Sequence, residues 1–202
     1  MIKLTAKHYR GVAQPNRRQW PVYAKQLLNI ATQNSKAANP KEIGSVKELW
    51  LKMRSQGING TLDNWTKFYQ KERGGEECLE NSGKKVYVMM QKMGVSWITE
   101  DMCIDYIKEL AYNKTHMGLG GEEMAIQAIA KYYKLPYRFS NAQEESQGID
   151  GWIGDSPVQV KPHDSAFKAH VHNHPVKDKV LLVTYDKDEE TVCFIHNPEF
   201  IK

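Results

Sequence analysis

Apolar side chains recur at helical spacing through the first two thirds of the chain and at strand spacing through the last third. From Trp20, the apolar positions Trp20, Ala24, Leu27, Leu28 and Ala31 predict a helix, with Pro21 in its first turn. A second helix is expected from Ser45, where Ser45 and Glu48 have the spacing of a capping box and Val46, Leu49, Trp50 and Met53 share one face. Gly57 would end it. A third starts near Thr61, with Leu62, Trp65, Phe68 and Tyr69 inward, and stops at Gly74-Gly75. The fourth follows Ser82 through Val86, Met89, Met90 and Met93, and a fifth opens at Thr99, where Glu100 and Asp101 favour the helix dipole. Gly118-Leu-Gly-Gly121 predicts a flexible break before a sixth helix from Glu122 to Tyr133, stopped ahead of Pro136.

Beyond that proline the period changes to two. Segments 137–140, 148–154, 157–161, 179–186 and 191–197 predict five strands, with hairpin turns at Gly154-Asp155-Ser156 and Lys187-Asp188-Glu189. No internal repeat interrupts the order. The expected fold is α/β (α+β): a mainly helical part over residues 1–115 leading into a helix-plus-sheet part over 116–202, packed as one compact domain.

Composition narrows the class. With 202 residues, 41% hydrophobic and 26% charged, and a mean hydropathy of −0.62, the chain has the balance of a soluble globular protein. It has no apolar run near the ~18 to 20 residues of a membrane span, and Met1 to Gln19 lacks the apolar stretch of a signal peptide, so a cytoplasmic location is expected. Cys78, Cys103 and Cys193 are odd in number and share no CxxC spacing, which argues against a disulfide framework or a cysteine zinc site.

Charge is informative by position. Residues 1–41 hold eight basic side chains and no acidic one, a local charge of +8 within a total of +4. Such a segment fits a polyanion surface, and a solvated basic arm has the same composition. It also concentrates the amides and guanidinium groups that match base edges, at Gln14, Asn16, Arg17, Arg18, Gln33, Asn34 and Asn39, with Lys36 and Lys41 suited to phosphates.

The most specific pattern lies around residues 150–161. Asp150 sits in one strand of a short hairpin, and the next reads Pro157-Val-Gln-Val-Lys-Pro162, so Val158 and Val160 face one way and Gln159 and Lys161 the other. A carboxylate, an amide oxygen and the Val160 carbonyl form an oxygen donor set suited to a hard divalent ion such as Mg²⁺. Lys161 is then placed to orient a water and offset charge on a phosphoryl group. On a helical wheel Glu122 falls with Ile126, Ile129 and Tyr133, which makes it a second inward carboxylate and leaves Glu123 in solvent. Histidines 163, 170, 172 and 174 invite a rival metal reading, as does Cys193-x-x-His196, but the spacing of His172-Asn173-His174 matches the metal-finger nucleases only in its letters.

This order, a helix with Glu122, a strand, Asp150 and then Gln159-Val-Lys161, resembles the core of the PD-(D/E)XK nuclease superfamily. Gln159 stands where most members carry an acid, which leaves Glu122, Glu144 or Glu145 to supply the missing charge. Leu28-Asn-Ile-Ala-Thr-Gln-Asn-Ser35 and Asn39-Pro-Lys-Glu-Ile-Gly44, together with the hairpin, are similar to the MjaI-type family of type II restriction endonucleases. The resemblance implies a central mixed β-sheet flanked by helices, and a homodimeric, Mg²⁺-dependent hydrolase that makes double-strand cuts at a short palindrome such as CTAG. It further implies a partner DNA methyltransferase, with residues 1–115 as the DNA-recognition part and 116–202 as the nuclease core. A less specific repair or modification-directed nuclease, or an inactive DNA-binding protein, shares the same residues.

Overall fold

The structure is a computed structural model that describes residues 2–5, 19–162, 180–185 and 192–201. The chain forms two compact units, Arg10–Leu119, and Gly120–Lys202 together with the N-terminal strand.

The first unit is helical: α1 (Ala24–Ser35), α2 (Pro40–Ile43), α3 (Val46–Ser55), α4 (Leu62–Arg73), α5 (Glu77–Lys92) and α6 (Glu100–Glu109), followed by a π-helical segment, Leu110–Lys114. Its core is the expected set of inward faces, with Leu28, Trp50, Met53, Trp65, Tyr69, Val86, Met90, Cys103 and Ile107 buried. Caps form where side chains reach orphan amides: Thr61 accepts from the Asn64 N–H and Thr99 from the Met102 N–H. Gly74 closes α4 in the left-handed conformation.

Four local expectations are corrected. The Ser45 hydroxyl makes no capping bond, so the Ser45–Glu48 box does not form. The first helix begins at Ala24 rather than Trp20, because Tyr23 takes a left-handed φ of 65° ahead of it. Helix α5 begins at Glu77, and Ser82-Gly83 lie inside it. A Cβ on Gly83 would stand 2.5 Å from Ile104 Cα, so glycine is retained there for the close crossing of α5 and α6. Finally, Gly118-Leu-Gly-Gly121 is no break but part of α7 (Thr115–Tyr133), which packing keeps helical against the ~1 kcal/mol propensity cost of each glycine.

The second unit is a six-stranded mixed sheet, order β1-β6-β5-β4-β3-β2, made of β1 (Ile2–Thr5), β2 (Tyr137–Phe139), β3 (Gly151–Ile153), β4 (Ser156–Pro162), β5 (Leu181–Tyr185) and β6 (Val192–Ile195), with the short helix α8 (Ala142–Ser146) between β2 and β3. All pairings are antiparallel except β4 with β5. The five expected strands are present, and Ile2–Thr5 is a sixth that the sequence reading left in the basic segment. Helix α7 buries Ala125, Ile126, Ile129 and Ala130 against Ile153, Val158, Val160, Leu181 and Val183. Full burial of each isoleucine contributes roughly 1.5–3 kcal/mol, which fixes the helix on this face of the sheet. Gly151 lets it approach, since a Cβ there would lie 2.6 Å from Ile126 Cδ1. No helix of the described residues is long and apolar enough to cross a membrane.

Candidate active site

Strand β3 is three residues long and β4 is seven, so β4 outruns its partner. The last paired residues are Gly151 and Val158, and Asp150 lies one step beyond. Its N–H still donates to the Val158 carbonyl at 2.8 Å. From there the backbone ladder is replaced by the side chain: Asp150 Oδ2 accepts from the Val160 N–H at 2.7 Å. In a strand the N–H and C=O of one residue point to the same edge, so the Val160 carbonyl is directed to the side from which the carboxylate comes.

Lys161 Nζ lies 3.7 Å from Asp150 Oδ2, with its side chain about one third exposed and that of Asp150 nearly buried. The lysine therefore has one end at the carboxylate and access to solvent. Gln159 is half-buried and packs over Gly148, whose φ is 81°; a Cβ at 148 would lie 3.0 Å from Gln159 Nε2. Ser140 anchors the other side of Asp150, donating from both its N–H and its hydroxyl to the Asp150 carbonyl, at 3.3 and 3.1 Å. On the far side of β4, Thr184 is the register partner of Lys161, and its hydroxyl is 2.9 Å from His196 Nε2.

The structure thus brings Asp150, Gln159, Val160 and Lys161 together. Glu122 is half-buried on α7, the helix that covers the Val158–Val160 face, opposite the face of Gln159 and Lys161. Its neighbour Glu123, expected in solvent, is only 7% exposed and accepts from Gln127 Nε2 at 3.0 Å, while the same amide reaches the Tyr137 hydroxyl. The wheel drawn from Glu122 centred the apolar face on too few residues: Ala125 and Ala130 widen it, and Glu123 sits on its flank.

Glu144 has both oxygens engaged. It closes a capping box with Asn141 at the start of α8 and takes a two-pronged contact from Arg138, at 2.7 and 2.9 Å. The Arg138 guanidinium, followed by the Asn141 N–H, lowers its carboxyl to about 2. Glu145 is exposed on the same short helix.

Among the described residues no three His, Cys, Asp or Glu side chains converge on one point. A metal at the hairpin would therefore have few charged ligands and rely on the Asp150 carboxylate, the Gln159 amide oxygen, the Val160 carbonyl and water. That all-oxygen set fits Mg²⁺, which keeps several waters and prefers hard donors.

Of the residues singled out for DNA contact, Gln14, Asn16, Arg17 and Arg18 lie outside the described residues, as do His163, His170, His172, His174 and the 187–189 turn. Gln33, Asn34, Lys36 and Lys41 are exposed, and the Asn34 amide donates to the Ile30 carbonyl. Asn39 caps α2, its side chain accepting from the Glu42 N–H.

Comparison with known proteins places these features in a family context. The MjaI restriction endonuclease family model matches residues 25–195, which include all of α1 but its first residue and the whole hairpin. Over 181 residues, 89% of this chain and 87% of the relative, the sequence is 30% identical to the type II restriction enzyme MthZI of Methanothermobacter thermautotrophicus. Over 197 residues, 95% of this chain and 87% of the relative, it is 28% identical to the type II restriction enzyme MjaI of Methanocaldococcus jannaschii. No solved structure matches.

Proposed function

Because the chain belongs to the MjaI restriction endonuclease family, a family of site-specific deoxyribonucleases, we propose that it is a Mg²⁺-dependent homodimer cutting both DNA strands at CTAG. The observation that supports this most is the hairpin: a nearly buried carboxylate oriented by the Val160 N–H, with an ammonium 3.7 Å away.

In this reading Asp150, Gln159 and the Val160 carbonyl hold the ion, with Glu122 as a second carboxylate offered from the α7 side of the sheet. Bound there, Mg²⁺ supplies Lewis-acid polarisation of the scissile phosphate and lowers the pKa of a coordinated water. Lys161 orients the attacking water and offsets the negative charge that grows on the phosphoryl oxygens. As the water oxygen bonds to phosphorus it gives up a proton to solvent, the bond to the leaving sugar oxygen breaks, and that oxygen takes a proton from solvent. Ser140 and the Val160 N–H keep Asp150 in place throughout. Gln159, neutral where an acid is usual, leaves the site one negative charge weaker.

Gln33, Asn34 and Asn39, with Lys36, Lys41 and the residues Gln14, Asn16, Arg17 and Arg18, are proposed as DNA contacts. Double-stranded DNA as substrate also suggests a cytoplasmic location and a methyltransferase that protects the same site. Digestion of unmethylated phage-length DNA with Mg²⁺ and with EDTA, followed by sequencing of the ends, tests the proposal. Discrete fragments ending within CTAG, absent in EDTA, support it. Ends at another site overturn the CTAG assignment, and cutting that persists in EDTA overturns the metal.

A further inference from the structure

Helix α1 has an unusual solvent face. Gln26, Asn29, Ile30 and Gln33 are all exposed, and at ~100° per residue they fall within about 100° of arc along a helix whose only charged side chain is Lys25. A solvated face of this kind normally carries charge. Here it carries amides, which pair in bidentate fashion with adenine edges, and an isoleucine 45% exposed, of the kind that packs on a thymine methyl.

The N-terminal end of this face opens into a cleft of about 490 Å³ in the helical unit, lined by Trp20, Lys25, Gln26, Asn29, Tyr106 and Lys114 among others. Two of the lining side chains are tied to Glu109, which accepts from Trp20 Nε1 at 3.0 Å and from Lys25 at 2.7 Å. The Lys114 ammonium instead rests over the Tyr106 ring, 4.9 Å from its centre, with the phenol oxygen 3.5 Å away. The π-helical segment produces this placement. In an unbroken α-helix Lys114 would lie ~80° round from Tyr106, and the wider i→i+5 winding removes most of that angle. Such segments are rare and concentrate at functional positions. Pro21 lines the same cleft, and the Val22 and Tyr23 that follow it are strongly exposed, Tyr23 with its left-handed backbone.

We propose that α1 is the base-reading helix, with Gln26 and Asn29 as specificity-determining residues beside Gln33, and that the cleft at its start seats an adjoining DNA backbone phosphate on Lys114, next to the Lys25–Glu109 pair. The proposal rests on the endonuclease reading and adds to it the residues that choose the sequence.

The test uses the full chain. Cleavage rates are compared on duplexes carrying the site mapped for the wild-type protein and on its single-base-pair variants, and binding of the labelled cognate duplex in EDTA is followed by anisotropy across a salt series. Gln26→Ala and Asn29→Ala should each reduce the preference for the cognate site over one variant by about 5- to 150-fold. Lys114→Gln should weaken binding to every sequence alike and lower the slope of log affinity against log salt by about 0.9, and Lys114→Arg should restore that slope. If both amide variants keep the wild-type preference, or Lys114→Gln keeps the wild-type slope, the proposal fails while the endonuclease reading stands. If the wild-type chain cuts no DNA, that reading fails first.

Discussion

Asp150 is held by its backbone and its side chain at once, which allows its charge to be removed without its structure. Asparagine keeps the volume and an acceptor for the Val160 N–H, so Asp150→Asn should melt close to wild type while losing cleavage by about a thousandfold, the several kcal/mol a charged ligand to a catalytic ion supplies. The two neighbouring acids on α7 separate by the same logic. Glu122→Gln should lower cleavage at least about tenfold, whereas Glu123→Gln, at a side chain already bonded to Gln127, should alter thermal stability more than rate. Equal losses of activity in both variants would contradict that division. At this scale the sequence showed Asp150, Gln159 and Lys161 on one hairpin because strand alternation and a tight turn leave little choice. It did not show Ser140 or the burial of Glu123, which depend on how β2 and α7 meet β3.

Elements announce themselves where the signal is local. Thr61, Thr99 and Gly74 act as the caps and stop their types suggest, since each works through a neighbour within a few residues. Strand β1 and the unbroken α7 were illegible for the opposite reason. Ile2 pairs with Ile195 across almost the whole chain, and the glycines of α7 are kept helical by packing rather than propensity. Gly83 shows how tight such packing is. Gly83→Ala would press a Cβ into the Ile104 backbone, and overpacking of that kind costs about 1–3 kcal/mol, read as a drop of some 2–12 °C in melting temperature. A melt unchanged by this substitution would show that α5 and α6 do not cross as described. The α8 cap has a pH signature. With the Glu144 carboxyl lowered to about 2, below an ordinary value of 4.5, the Arg138–Glu144 pair is fully stabilising above pH 4.5 and is lost as pH falls toward 2. The melting difference between wild type and Glu144→Gln should therefore be constant near neutrality and vanish over that interval.

For the whole molecule, we propose a division of labour that follows the charge. The acid-free segment of residues 1–41 contains α1 with its amide face, and the sheet unit contains the hairpin. Fold class and the position of the hairpin were both legible, because a change of hydrophobic period marks where helices give way to strands. The exchange of the N-terminal strand into the sheet unit was not, since strand pairing over such a separation leaves no local trace. If the hairpin is the cutting site, removing its charges leaves DNA binding in place. The most direct measurement follows wild type, Asp150→Asn and Lys161→Ala on one labelled cognate duplex with Mg²⁺, recording cleavage and binding together. Both variants should bind within a few-fold of wild type and cut at least about a hundredfold more slowly. Cleavage by either variant at the wild-type rate would contradict that assignment.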